Sequence, residues 1–304
     1  MVMIEKGRIS SRQAYMLLVT LVFSTAGMIL SSTTAAQAKR DAWLSILLAT
    51  VVGIGIALLN ANLGLRFRDK TFIECSETIA GRVIGKLIGL AMIIYFVHMT
   101  ANMTRQYAEF SVITLLPTTP LVVVMISMVV PLAYALHGGI EVLARANEII
   151  LPLVVAAYML IVAVAVPQMD IGRLFPIMGE GLLPVLRGAY FPIGWIGEIV
   201  LFTMMVPWIQ GDSKGIVWAP VKAVIYIGLF TTVVVTATEL TLGDLTPSFT
   251  FPTHTMTGMV RIGRFFERTD AFVAALWVAG LFVKIALFYY GAVVGLAQWL
   301  GLKD

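Results

Sequence analysis

Eight long, mostly apolar runs constrain this chain more than any other feature. They lie at about 13–37, 42–64, 84–113, 119–137, 142–167, 182–209, 216–241 and 270–299. A run of about 20 such residues rises roughly 30 Å as a helix, the thickness of a bilayer's hydrocarbon core. No soluble core could bury eight of them. The 304 residues are 59% hydrophobic and only 12% charged, against about 45–50% and 25% in ordinary globular chains. Mean hydropathy is +0.93. A cytosolic enzyme, a disordered tail and a secreted disulfide scaffold are excluded. The runs are continuous rather than alternating, which argues against an outer-membrane barrel. The expected fold is an all-α integral membrane protein: one polytopic domain over 1–304, in the cell membrane, with about eight spans.

The net charge of +4 forms no stripe that would suit a nucleic acid, and none is expected as a partner. Basic residues punctuate the apolar runs instead. With a cytoplasmic N-terminus, 12 of the 21 lysines and arginines fall on the inner side and seven outside, with Arg105 and Lys284 inside spans. The positive-inside rule then places both termini in the cytoplasm. Ala36-Gln37-Ala38 mimics a signal-peptide cleavage site, but Ser24-Thr25 interrupts the apolar core that a signal keeps continuous. The first run is therefore expected to stay as a span. The single cysteine, Cys75, allows no intrachain disulfide and no cysteine-based metal site.

Two spans carry interruptions. The first holds Phe23-Ser24-Thr25-Ala26-Gly27 and then Ser31 to Thr34. The sixth holds Pro192, Gly194 and Gly197 just before Glu198. Small and hydroxylic residues suit close helix packing. They also suit helices broken at membrane depth, whose freed peptide groups line a polar site. Non-helical backbone is expected near Ser24 to Gly27 and near Pro192 to Gly197.

Ionisable groups at membrane depth are costly and face protein or water. Glu198 and Lys284 lie near the middles of spans six and eight. They pair with each other or serve a ligand, ion or proton, and the residues alone leave both open. Trp277, Gly280, Lys284, Phe288 and Gly291 share one face of span eight. On span three, Tyr95, His98, Asn102, Arg105, Gln106 and Glu109 form a polar stripe, within which Arg105 and Glu109 are spaced to pair. Gly81, Gly85 and Gly89 read as a helix-packing series. Metalloprotease, nucleophile-elbow and phosphate-loop motifs are lacking, so neither an enzyme nor a cofactor is expected.

Several segments together resemble one family. They are Ser24-Thr25-Ala26-Gly27, Asp41-Ala42-Trp43-Leu44-Ser45, Leu116-Pro117-Thr118-Thr119-Pro120 and Gly197-Glu198. The most specific are Phe251-Pro252-Thr253, Arg261-Ile262-Gly263 and Phe265-Phe266-Glu267-Arg268. Over nearly its whole length the chain resembles the B subunit of GerA-type spore germinant receptors, the spore permease family of the amino acid–polyamine–organocation superfamily. The resemblance implies a LeuT-like inverted-repeat bundle in the inner membrane of a bacterial spore. It implies a small nutrient ligand, an amino acid, and two partners: an A-type membrane subunit and a C-type lipoprotein. It also implies a pocket between spans one and six, flanked by three and eight. On this chain that pocket is Thr25, Ala26 and Gly27, then Gly194, Gly197 and Glu198, with His98, Asn102 and Lys284. The family has ten spans, so the last two of ten are expected to be lacking here, which bears on transport more than on binding. A nutrient-sensing subunit is the leading expectation. A proton- or sodium-coupled amino acid transporter and a non-binding scaffold subunit are the alternatives.

Overall fold

A computed structural model describes residues 7–259 and 269–302. The Arg261-Ile262-Gly263 and Phe265 to Arg268 motifs lie outside the described residues. The protein is an all-α, multi-pass membrane protein. Its helices are α1 (Ser11–Ala38), α2 (Ala42–Arg66), α3 (Phe72–Thr114), α4 (Leu121–Leu136), α5 (Gly139–Ala165), α6 (Leu182–Gly197), α7 (Phe202–Met205), α8 (Ser213–Leu242), α9 (Pro252–Met259) and α10 (Thr269–Leu300). Among the described residues the sheet is a single parallel pair of two-residue strands, β1 (Ile9–Ser10) with β2 (Ile209–Gln210).

Among the described residues, six helical segments are long and apolar enough to cross a membrane. The first, Ser11–Arg66, contains both α1 and α2, joined by one 3₁₀ turn at Lys39–Asp41. The fourth apolar run forms only the 16-residue α4, because Pro120 starts it and the helix closes at His137. At 1.5 Å per residue it spans about 24 Å, short of a full hydrocarbon core.

Local chemistry sets the helix ends. Ser10 and Gln13 form a capping box at α1, with Gln13 N donating to Ser10 Oγ (3.1 Å) and Ser10 N donating to Gln13 Oε1 (2.9 Å). Thr71 and Glu74 do the same for α3. The Asp212 side chain accepts from Gly215 N at the start of α8. The glycine series in α3 is more than a packing stripe: Gly81 takes φ 78°, splitting the helix there.

α1 is the centre of the bundle. Every residue from Met16 to Met28 is buried, as expected for a helix apolar all round. It packs against α5, α6, α8 and α10, while α2 packs against α6 and α8. Large apolar side chains such as Leu59 and Val83 point outward. Hydroxyls gather inside, where Thr20 and Ser24 donate back to the carbonyls of Met16 and Thr20.

The two expected breaks are not where the sequence placed them. α1 is helical through Ser24 to Gly27. α6 is helical through Pro192 to Gly197, and its tightening into 3₁₀ geometry begins at Glu198. One proline removes one donor, and α4, α5 and α8 also carry an internal proline. Glycine permits unwinding without requiring it. The carbonyls of span one are therefore not opened toward a ligand; its hydroxyls and packing surfaces are what it offers.

Candidate functional site

Lys284, midway along α10, has no exposed surface. Its Nζ donates to Glu198 Oε2 (2.7 Å), Glu198 Oε1 (2.9 Å) and Thr25 Oγ1 (2.6 Å). An ammonium has three hydrogens, so all three are used. Glu198 opens the 3₁₀ turn that follows α6, and Trp195, one turn earlier, donates from Nε1 to the same Thr25 Oγ1 (2.9 Å). Two turns before Lys284 on α10, Trp277 Nε1 donates to the Ser24 carbonyl. One threonine hydroxyl thus joins α1, the end of α6 and α10. Opposite charges and complete hydrogen bonding make burial tolerable for both ions. Phe288 adds its ring face at 5.9 Å from Nζ.

Glu198 also reaches the edge of a cavity of about 450 Å³ between α3 and α6. Tyr95, Met99, Asn102 and Gln106 line it from α3, with Phe191, Gly194 and Trp195 opposite. Aromatic and thioether surface dominates, and two amides and one carboxylate supply polarity. That combination suits a small molecule with an apolar body and a few hydrogen-bonding groups. Gln106 Oε1 is buried and has no hydrogen-bond partner among the described residues.

The residues singled out in the sequence divide accordingly. Thr25, Glu198 and Lys284 meet directly. Asn102, Gly194 and Glu198 line the cavity. Gly197 is half-buried beside them. Ala26 belongs to the apolar core. Gly27 serves packing, since a Cβ there would stand 2.8 Å from the Tyr158 ring. His98 is exposed on the outward side of α3. Arg105 and Glu109 pair at 2.7 Å. Trp277, Lys284 and Phe288 are all buried on one face of α10.

Met99 escaped the sequence reading; Trp195 lay within the stretch Gly194 to Glu198 read as the interruption of span six, but its side chain was given no role, although it stands one helical turn before Glu198 and shares its flank. Glu239 also escaped it: this carboxylate is buried near the end of α8, with Oε1 unpartnered among the described residues. An acid inside the run 216–241 was the available signal.

Two of the family-like segments, Asp41 to Ser45 and Phe251 to Thr253, stitch helices together. Thr253 Oγ1 donates to the Gly27 carbonyl (2.8 Å), and Phe251 packs edge-on to Phe110. Asp41 Oδ1 accepts from Met178 N (3.0 Å), and Ser45 Oγ donates to the Val185 carbonyl (2.9 Å). Those contacts fasten α9 and the approach to α6 onto α1 and α2.

Comparison with known proteins accords with this architecture. The family model for spore germination proteins, the spore permeases, matches residues 8–304. Spore germination protein KB of Bacillus subtilis is 28% identical over 296 residues, covering 96% of this chain and 78% of that protein. Spore germination protein YndE of the same organism is 27% identical over 306 residues, covering 96% and 81%. Putative spore germination protein YfkT, also from B. subtilis, is 30% identical over 270 residues, covering 86% and 72%. The match over residues 8–304 shows that this protein belongs to the spore germination protein family of spore permeases.

Proposed function

We propose that this protein is the membrane-embedded, nutrient-sensing subunit of a spore germinant receptor, and that its ligand is an amino acid. The reading rests on one observation: the α3–α6 cavity ends on Glu198, whose other face is tied to α10 and α1 through Lys284 and Thr25. A ligand ammonium at Glu198 competes with Lys284, and the helices joined there respond. Asn102 and Gln106 are placed to hydrogen-bond the ligand carboxylate. The same reading places the chain in the spore inner membrane beside an A-type membrane subunit and a C-type lipoprotein, with a LeuT-like arrangement of helices.

Thermal shift of the purified protein against each common amino acid tests the reading. A ligand at 100 times its Kd adds about 2.7 kcal/mol of apparent stability. A rise in Tm with a restricted set of amino acids, lost in Asn102→Leu, is expected. No rise with any of them rejects nutrient sensing by this cavity. Uptake into proteoliposomes separates sensing from coupled transport, and none is expected from the isolated chain.

We further propose eight crossings with both termini cytoplasmic, on the charge asymmetry of the loops. With Cys75 replaced, Ser213→Cys is expected to resist an impermeant thiol reagent applied outside, and Ser248→Cys, exposed in the segment after α8, to react. The reverse pattern rejects this orientation.

A further inference from the structure

One buried acid has no counter-charge among the described residues. Glu239 lies in the last turn of α8, and that turn holds no basic residue. It is 3% exposed, and its Oε1 has no hydrogen-bond partner among the described residues. The ion pairs among those residues are Lys39–Glu180, Arg105–Glu109, Arg145–Glu141, Arg173–Asp170 and Lys284–Glu198, and Glu239 is in none of them. Lys284 cannot serve it, since all three of its hydrogens go to Glu198 and Thr25.

The surroundings are electronegative. A helix C-terminus carries partial negative charge, so a carboxylate in its last turn is repelled and a cation is drawn there. Asp244, exposed in the 3₁₀ segment Gly243–Ser248, adds a second carboxylate nearby. Thr246 of that segment is the hydroxyl beside Glu239, but its one hydrogen goes to the Gly243 carbonyl (2.8 Å). Arg173, the cation at this helix end, is occupied with backbone. Its Nη1 donates to the Leu240 carbonyl (3.2 Å) and to the Thr241 carbonyl, and its Nε stands 4.0 Å from Asp170. Asp170 N donates to the Leu240 carbonyl and Gly243 N to the Glu239 carbonyl. At the adjoining turn Lys39 pairs with Glu180, and Asp41 accepts from Met178 N. His254 of α9 faces Phe110, and the last eight residues of α1 carry no charge. The backbone at this helix end is satisfied; the side-chain carboxylate is not.

A carboxylate at membrane depth is neutralised by a partner or by what it binds. We propose that Glu239 is the binding site of one monovalent cation, a proton or a sodium ion, separate from the Glu198–Lys284 pair. One carboxylate beside hydroxyl oxygen suits a single positive charge. Among the described residues no three acidic, histidine or cysteine side chains gather as a divalent metal would need. The site is also connected to the centre of the bundle. Beyond Glu239 the chain runs back onto α1, where Ser32 Oγ donates to the Pro247 carbonyl (3.4 Å) and Thr253 Oγ1 to the Gly27 carbonyl (2.8 Å). Gly27 is two residues from Thr25. Occupancy therefore favours the arrangement in which Gly243–Ser248 and α9 lie against α1. The inference stands on charge balance and holds whether or not the α3–α6 cavity binds a nutrient.

Thermal unfolding of the full chain in detergent tests it. Tm is measured at about pH 6 and about pH 8.5, in sodium chloride or in N-methylglucamine chloride at equal ionic strength. Without sodium, Tm is expected to fall as pH rises, because the folded site then loses its proton. If sodium is the natural ion, adding it at the higher pH raises Tm by about 3 °C or more. If the proton is, sodium has no effect and the pH response stands alone. Glu239→Gln is neutral at every pH and is expected to abolish either response, while Glu198 and Lys284 remain in place. Should that variant fail to fold, Thr246→Val is expected to move the midpoint of the response by about threefold in ion concentration. A Tm indifferent to both ions, a response that survives Glu239→Gln, or a midpoint that Thr246→Val leaves unmoved overturns the proposal.

Discussion

Glu198→Gln is expected to destabilise the protein by about 3–5 kcal/mol, the usual cost of leaving one buried ion without its counter-charge. Lys284 has no exposed surface and directs two of its three donors at this carboxylate. A glutamine amide can accept one of those bonds but cannot neutralise the ammonium. Lys284→Met alone is expected to cost a similar amount, because Glu198 then stands buried and charged with no cation. The double variant Glu198→Gln with Lys284→Met is expected to recover most of the loss, since a buried pair replaced by neutral groups is often no less stable than the pair itself. Unfolding followed by circular dichroism in detergent supplies the double-mutant cycle. Strict additivity of the two losses would show that the groups do not depend on each other. The cycle also separates the roles open at the sequence level: a ligand-binding Glu198 loses nutrient affinity in the double variant even where stability returns.

Gly85→Ala is expected to be nearly as damaging, at about 1–3 kcal/mol or more. The helix kinks at Gly81, and the chain before the kink folds back over Gly85. A Cβ at 85 would stand 2.3 Å from Glu77 Cα and 2.5 Å from the Ser76 carbonyl oxygen. These are backbone atoms, and Ser76 Oγ fixes the turn further by donating to the Gly85 carbonyl (2.8 Å). Nothing flexible is available to move aside. Gly89→Ala is the control, because its nearest neighbours are side-chain atoms at 3.3 Å and beyond. Helix propensity offsets about 0.5–1 kcal/mol there, so that variant is expected to be close to neutral. Equal melting temperatures for the two alanine variants would contradict the fold-back.

The contrast within one glycine series shows where sequence reading loses its grip. Spacing of four made Gly81, Gly85 and Gly89 look equivalent, yet one breaks the helix, one admits backbone and one packs against Ile73 and Trp299. Spacing on an ideal helix assumes that the helix continues. A single residue at φ 78° resets every face after it. The stripe on α3 shows the same limit: Tyr95 and Gln106 turn to the cavity, while His98 faces outward. Helical periodicity places residues on a flank without saying which neighbour covers that flank.

The all-α class and the position of Glu198 and Lys284 inside long apolar helical segments were legible from composition and run length, because a bilayer-crossing helix is a summed property of about 20 residues and tolerates local error. The family-like segments were legible as contiguous residue patterns, but what they touch was not: Thr253 donates to the Gly27 carbonyl, 226 residues away. Backbone continuity through Ser24 to Gly27 was decided only in the folded bundle. There the hydroxyls of Thr20 and Ser24 satisfy their own helix, and Thr25 is claimed by Lys284 and Trp195. The meeting of Glu198 with Lys284 was decided there too. They are 86 residues apart, and no local rule reaches that far; pairing follows from which helices the buried apolar faces force together.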